Sequence, residues 1–541
     1  MDLSRLDTPV LILGGGSVGL AIAAELGMRN VPCVVLEKSD RPAEHPRATA
    51  LNARSMEFMR RWGVADQIRA AAAPPDFPHT ALYCTGLQGF VVAKVERPDH
   101  GGKKATEFSP ESAQRCNQIW TDPILCQLAR SFSSVDLRFR WEFEHLEQTV
   151  DYVDVVAHDL NTGDRHTIRA GYVVDCTGAH TPVRRALGVA MSGGESLTYH
   201  VSAYIRAPRL WEHHAMGKAA LTNFIEANGL WRNLVSLDGR ELYRFGIRGR
   251  EYYDNFQTID VPRLFREVAG ECVPFEVISV GRWTARNVVA DRYQVGRVFF
   301  AGDAAHLNHP ASGLGLNTGL GDATNIGWKL SAVVQGWGGE GLLASYEAER
   351  RPVAVHNVKH AENMNKNDRG QNPPAYIGDD TPEGETARRE MGERISEKLK
   401  LKFITTGIAI GYRYADSPIC AKDTAAPPVQ SVTEYEPGTY PGVRAPHAWV
   451  SGDCSTLDLF GKGFTLLSFT QESRDIAALQ AAFDRRGAPL LVQAISRADI
   501  RTLYECDLVL VRPDGHVAWR GSHVPENTES LAALVCGATC A

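Results

Sequence analysis

From residue 14 to residue 19 the chain reads Gly14-Gly15-Gly16-Ser17-Val18-Gly19, with Gly14, Gly16 and Gly19 in G-x-G-x-x-G spacing. An apolar stretch over 8–13, which reads as a buried strand, precedes it. Residues 17–29 read as a helix, and 33–37 as a second strand ending on Glu37, 18 residues beyond Gly19. A strand–turn–helix–strand unit of this kind predicts a parallel α/β sheet with a ligand at its first turn. Gly14 permits the tight turn. Gly16 lets a pyrophosphate approach the backbone at the helix start, where free N–H groups and the helix dipole favour an anion. Ser17 and Val18 complete the turn. Glu37, followed by Lys38, suits the hydroxyls of an adenosine ribose and repels a 2′-phosphate. The site therefore fits FAD or NAD and disfavours NADP.

A second stretch runs from Phe299 to Leu330. Asp303 follows a short strand predicted over 297–301, with Pro310 and glycines 313, 315 and 319 beyond it. The helix after this loop starts with free N–H groups, which stabilise negative charge. A reduced flavin carries such charge at N1 and the C2 carbonyl. No Lys or Arg lies between Phe299 and Trp328, so the backbone must supply the positive potential.

At these residues the chain resembles the FAD-dependent aromatic hydroxylases, single-component flavoprotein monooxygenases similar to phenol hydroxylase and para-hydroxybenzoate hydroxylase. The matching stretches are GDAAH (302–306), Pro310 and GLGLNTG (313–319). The resemblance implies that Asp303 holds the flavin ribityl chain, with Gly302 beside it also at the cofactor, and that Pro310 lies beside the ring. It places the backbone of Gly315, Leu316 and Asn317 at the pyrimidine end. HPRATALNARSMEFMRRWGV (45–64) adds Arg47 near the FAD phosphates, and QRCNQIWTDPIL (114–125) adds Gln118. DCTGAHTPVRRALGV (175–189) departs from the family: Thr177 stands where the family has Asp before Gly178.

The implied reaction is hydroxylation of a small phenolic substrate with O2 and NADH or NADPH, through a flavin C4a-hydroperoxide. No second strand–turn–helix fingerprint of this kind provides a separate nicotinamide domain, so NAD(P)H is expected as a transient co-substrate. Rival readings are a flavin epoxidase, a hydroxylase of a large polyketide-like aromatic, and a non-catalytic flavin-binding protein. Candidates for the substrate pocket are Thr49, His200, Tyr204, Asn223, Arg232 and Tyr243. Thr49 stands where some phenol-hydroxylating relatives carry a His, three residues before Asn52.

The expected fold is α/β: a Rossmann-like FAD-binding domain, an inserted, mostly antiparallel β-sheet substrate domain, and a C-terminal thioredoxin-like domain. The FAD-binding part takes 1–75, 105–195 and 281–412. The substrate part takes 76–104 and 196–280. Residues 413–446 are expected as a linker and 447–541 as the thioredoxin-like part. The last rests on PGVRAPHAWV and STLDLFGKGFTLLSF, and it lacks the C-x-x-C of a redox-active member. One helix is expected over 52–71, an exposed loop over 365–385 and a helix over 383–402.

A net charge of −6 and the absence of a long basic stretch argue against a nucleic-acid partner. Eleven scattered cysteines read as free thiols rather than a disulfide framework or metal site. No membrane span or targeting segment is expected, which makes the cytoplasm the default compartment. A homodimer is a possible assembly.

Overall fold

Val10 to Leu13 are buried on both faces, as a strand covered by helices must be. The strand Thr8–Leu13 pairs in parallel with Cys33–Glu37 on one side and Arg165–Asp175 on the other. Cys33–Glu37 continues in parallel to Val135–Phe139, and Arg165–Asp175 to Val298–Phe300. The computed structural model describes residues 3–96, 105–310, 313–369, 372–403, 405–470 and 474–538. The early half of Arg165–Asp175 instead pairs antiparallel with Val153–Asp159, itself hairpinned to Trp141–Gln148. The carboxyl ends of the parallel strands deliver Gly14, Glu37, Asp175 and the turn after Phe300 to one edge. That edge is where ligands bind in open α/β sheets.

A second, mostly antiparallel sheet is built around two long strands, Met191–Arg206 and Glu276–Ala290. It extends through Leu242–Arg248, Gly229–Ser236, Leu221–Glu226, Thr80–Cys84 and Val91–Glu96. Val201, Ala203, Ile205, Tyr243, Phe245 and Ile247 are buried against the helix Val261–Ala269. Strand alternation sends His200, Ser202, Tyr204, Arg244, Gly246 and Arg248 to the other face.

The C-terminal part holds a four-stranded sheet in the order Leu490–Ala494, Phe464–Ser468, Leu508–Val511, Val517–Gly521. Its core is continuous with Trp328 and Trp337, so it packs directly behind the helix Gly315–Val334. The turn Pro513-Asp514-Gly515 of its hairpin reaches a buried ionic cluster. There Arg512 meets Glu349 at 2.6 Å and Asp514 at 2.6 Å, and Lys329 meets Glu349 at 2.6 Å.

Two expectations need correction. The helix expected over 52–71 is two, Ala53–Arg61 and Ala65–Ala71, because Gly63 turns the chain at φ +76°. The loop expected over 365–385 is shorter: the helix Glu340–Arg369 runs into it and the helix Pro382–Phe403 starts within it. In the C-terminal part a further helix, Ala498–Tyr504, stands between the strand Leu490–Ala494 and the hairpin. Among the described residues no helix is long and apolar enough to cross a membrane, and no His, Cys, Asp and Glu group is arranged to hold a metal.

Candidate active site

The glycine-rich turn is shaped by contacts that only glycine allows. Gly14 has φ +100°, and a Cβ there would lie 2.4 Å from the Cys176 carbonyl oxygen. A Cβ on Gly19 would lie 2.0 Å from the Gly14 oxygen. At Gly16, by contrast, a Cβ would meet no atom within 4 Å. The open space lies in front of the helix Ser17–Gly27, where an anion is stabilised. Glu37 accepts from the Gly15 N–H at 2.7 Å and from the Ser39 N–H at 2.8 Å. Its carboxylate thus borders the turn. Lys38 is exposed and Val18 is not a polar contact: its side chain packs against Gly302 and Gly319, locking the first turn to the second loop.

Ser17 donates to Asp122, which also accepts from Gln118 at 3.0 Å. Asp122 is a buried acid that the sequence reading missed. Burial raises its pKa to about 6, against the opposing hydrogen bonds of Ser17 and Gln118 and the charge of Arg47. Its signal was available: it lies four residues after Gln118, one helical turn away on Gln118–Arg130. Arg47 is exposed and acts electrostatically on both Asp122 and Asp303. Thr49 accepts from Asn117 at 3.2 Å, on the same segment.

Asp303 lies in the short turn Gly302–Ala304, just past the strand Val298–Phe300. Its side chain is exposed, and the protein packed around it raises its pKa, with His306 and Arg47 pulling the other way. Arg184 donates to the Ala304 carbonyl at 2.8 Å, joining the 175–189 stretch to this turn. In that stretch Asp175 accepts from the Thr177 N–H at 3.0 Å and the Thr177 hydroxyl at 2.7 Å. A carboxylate two residues upstream therefore holds the backbone where the family Asp is replaced.

The helix Gly315–Val334 makes its first internal bond from the Thr318 N–H to the Leu314 oxygen at 2.8 Å. Gly315, Leu316 and Asn317 thus present N–H groups with no acceptor inside the helix. A Cβ on Gly315 would also meet nothing within 4 Å. The Asn317 side chain serves the scaffold: it accepts from the Asn52 N–H at 2.9 Å and Ser55 at 2.6 Å, and donates to the oxygens of Ala50 at 3.1 Å and Gly313 at 2.7 Å. Pro310 is exposed, and its carbonyl accepts from the Gly313 N–H at 3.1 Å. Open space before two helix starts, with Glu37 and Asp303 at its borders, fits a dinucleotide carrying a flavin.

The pocket candidates divide. His200 stacks on Trp283 with centroids 4.1 Å apart, and it lines a small open cavity of about 30 Å³ with Tyr83, Asn223, Asn233, Gly246 and Arg248. Tyr204 lies on the same sheet face, half-buried. Arg232 borders the cavity, but its guanidinium is held by Glu226 at 2.5 Å and Glu267 at 2.7 Å. Tyr243 points away into the core and donates to the Arg240 carbonyl at 3.0 Å. His45, which the sequence reading did not single out, bonds Ser279 at 2.9 Å and Ser202 at 2.8 Å. It seats the segment carrying Arg47 on the pocket face of the sheet.

Comparison with known proteins agrees with this layout. Residues 7–361 match the FAD binding domain family, and residues 438–537 match the C-terminal domain of aromatic-ring hydroxylases. The chain is 31% identical to a tetracenomycin B2 monooxygenase-dioxygenase of Streptomyces olivaceus, over 98% of each chain. It is 30% identical to a 4-methyl-5-nitrocatechol 5-monooxygenase of Burkholderia sp, again over 98% of each. Among solved structures, chromopyrrolic acid-soaked RebC with bound 7-carboxy-K252c superposes with a TM-score of 0.91 at 38% identity, covering 98% of this chain and 99% of that one.

Proposed function

We propose a mechanism from one premise: the chain belongs to the FAD-dependent aromatic-ring hydroxylases. It is a monooxygenase that uses FAD, NAD(P)H and O2 to hydroxylate an aromatic ring. FAD, when bound, accepts electrons from NAD(P)H and activates dioxygen. The residues that would hold it are Gly14, Gly16 and Glu37 at the dinucleotide end, with Ser17 fixed by Asp122. Asp303 would bind the ribityl chain. The N–H groups of Gly315, Leu316 and Asn317 would face the pyrimidine end and offset its negative charge. Arg47 would act on the phosphates. The division into a discontinuous FAD-binding part, an inserted substrate sheet and a C-terminal part is included in this proposal.

One observation carries the reading. The space before the two helix starts adjoins the pocket face of the inserted sheet, because His45 is bonded to Ser202 and Ser279 while Arg47, two residues on, acts on Asp303. Cofactor and substrate spaces therefore meet at one segment. The sheet would orient the ring, with His200 of the stacked His200–Trp283 pair at the cavity.

We take the substrate to be phenolic. A fused-ring, polyketide-like phenol is the second reading. The names of the tetracenomycin and RebC relatives support it. The test is NAD(P)H oxidation with a panel of monocyclic and fused-ring phenols, read with product mass. Higher kcat/KM for fused rings supports the second reading. A preference for monocyclic phenols returns the assignment to the first.

A further inference from the structure

One buried arginine joins the two loops assigned to the flavin. Arg350 lies on the helix Glu340–Arg369, within the core. Its Nε donates to Asp322 Oδ1 at 2.8 Å, and its Nη2 donates to the Thr318 carbonyl at 2.9 Å. Asp322 is buried too, and its other oxygen accepts from the Gly302 N–H at 3.1 Å and meets His306 Nε2 at 2.8 Å. Gly302 directly precedes Asp303. Thr318 directly follows the N–H groups of Gly315, Leu316 and Asn317, and its own N–H closes the first internal bond of their helix. A single guanidinium therefore ties the turn that carries Asp303 to the helix start that faces the pyrimidine end.

The helix Gly315–Val334 is shaped to admit it. Gly321 stands inside that helix, where glycine is less favourable than alanine. A Cβ on Gly321 would lie 2.7 Å from Arg350 Nη2, so the missing side chain leaves room for the guanidinium. Arg350 Nη1 meets the Tyr414 hydroxyl at 3.4 Å, and the Tyr414 ring lies 4.2 Å from that of His516 in the C-terminal hairpin. Burial opposes the charge on Asp322, but Arg350 and His306 hold its pKa below the ordinary carboxylate value, so the pair is ionised. A buried ion pair adds little net stability, because desolvation offsets the attraction. The planar fork of an arginine does fix geometry, since it serves two acceptors at set angles.

We propose that Arg350 is a positioning residue for the flavin: through Asp322 and Thr318 it sets the span from Asp303 to the N–H groups of Gly315, Leu316 and Asn317, and with it the stabilisation of the reduced ring. This inference rests on the FAD-dependent hydroxylase reading.

The test measures the flavin midpoint potential and the FAD dissociation constant of wild type, Arg350→Lys and Gly321→Ala. Lysine keeps the charge beside Asp322 but lacks the fork that reaches Asp322 and the Thr318 carbonyl together. Alanine at position 321 changes no charge, and its methyl group displaces Nη2 from the Thr318 carbonyl. In both variants reduced FAD is expected to bind about tenfold more weakly relative to oxidised FAD, a fall in midpoint potential of about 30 mV. Should Arg350→Lys fail to fold, Gly321→Ala decides alone. An unmoved potential in either FAD-loaded variant overturns the proposal, as does an equal weakening of oxidised and reduced FAD. A lower thermal transition at an unmoved potential would mark the ion pair as scaffold only. Wild type that takes up no FAD would remove the flavin reading itself, whereas FAD-loaded wild type and variants at one potential would remove only the role of Arg350.

Discussion

Gly16 and Asp122 show how single residues set the cofactor site. A Cβ on Gly16 would meet no protein atom within 4 Å, so Gly16→Val should fold normally. It should still occupy pyrophosphate space. We expect FAD retention to weaken by about tenfold or more, or about 1.4 kcal/mol, seen as loss of flavin absorbance with an unchanged circular dichroism spectrum. Full FAD content would remove the turn from the site. Asp122 makes a pH prediction. Its folded pKa, about 6, lies above the unfolded value of 3.8, so the folded apoprotein holds the proton more tightly. The residue costs nothing below pH 3.8, and its penalty grows as pH rises through 6, to about 3 kcal/mol. Asp122→Asn should flatten the fall in apoprotein stability over that window, measured by denaturant unfolding from pH 4 to pH 8. An unchanged pH profile would show that Asp122 ionises normally.

At the scale of elements, the helix Gly315–Val334 is the one whose start matters most. Leu316→Pro removes one N–H in the first turn, where proline is tolerated. The reduced flavin should lose stabilisation and the midpoint potential should fall by a few tens of millivolts, at about 30 mV per 1.4 kcal/mol. Asp303→Ala should instead mainly weaken FAD retention. An unchanged potential in a folded Leu316→Pro protein would mean that charge is stabilised from elsewhere. This loop was legible in the sequence because its glycines, Asp303 and Pro310 act over a few residues. The Asn317 side chain was not, since its partners Asn52 and Ser55 lie over 260 residues away in sequence. The break at Gly63 was hidden by an apolar spacing that ran straight through it. The pocket face of the inserted sheet could be assigned only once strand register separated Tyr243 from Arg244.

Across the whole molecule, the C-terminal part is a structural partner of the FAD-binding part. Its missing C-x-x-C was readable, but its reach to Glu349 was not, because Arg512 and Asp514 form an ordinary hairpin turn in the sequence. Arg512→Met should strand buried Glu349 and Asp514, costing about 3–5 kcal/mol, read as a lower thermal transition with earlier FAD release. Normal stability would mean that Lys329 and His516 suffice. The central claim is that the two helix starts and the inserted sheet enclose one site in which a flavin oxygenates an aromatic ring. The most direct measurement is turnover under isotopically labelled dioxygen, with NAD(P)H and a phenol that stimulates its oxidation. One labelled oxygen atom is expected in the ring product. NAD(P)H consumption that yields only hydrogen peroxide, with every phenol offered, would contradict it.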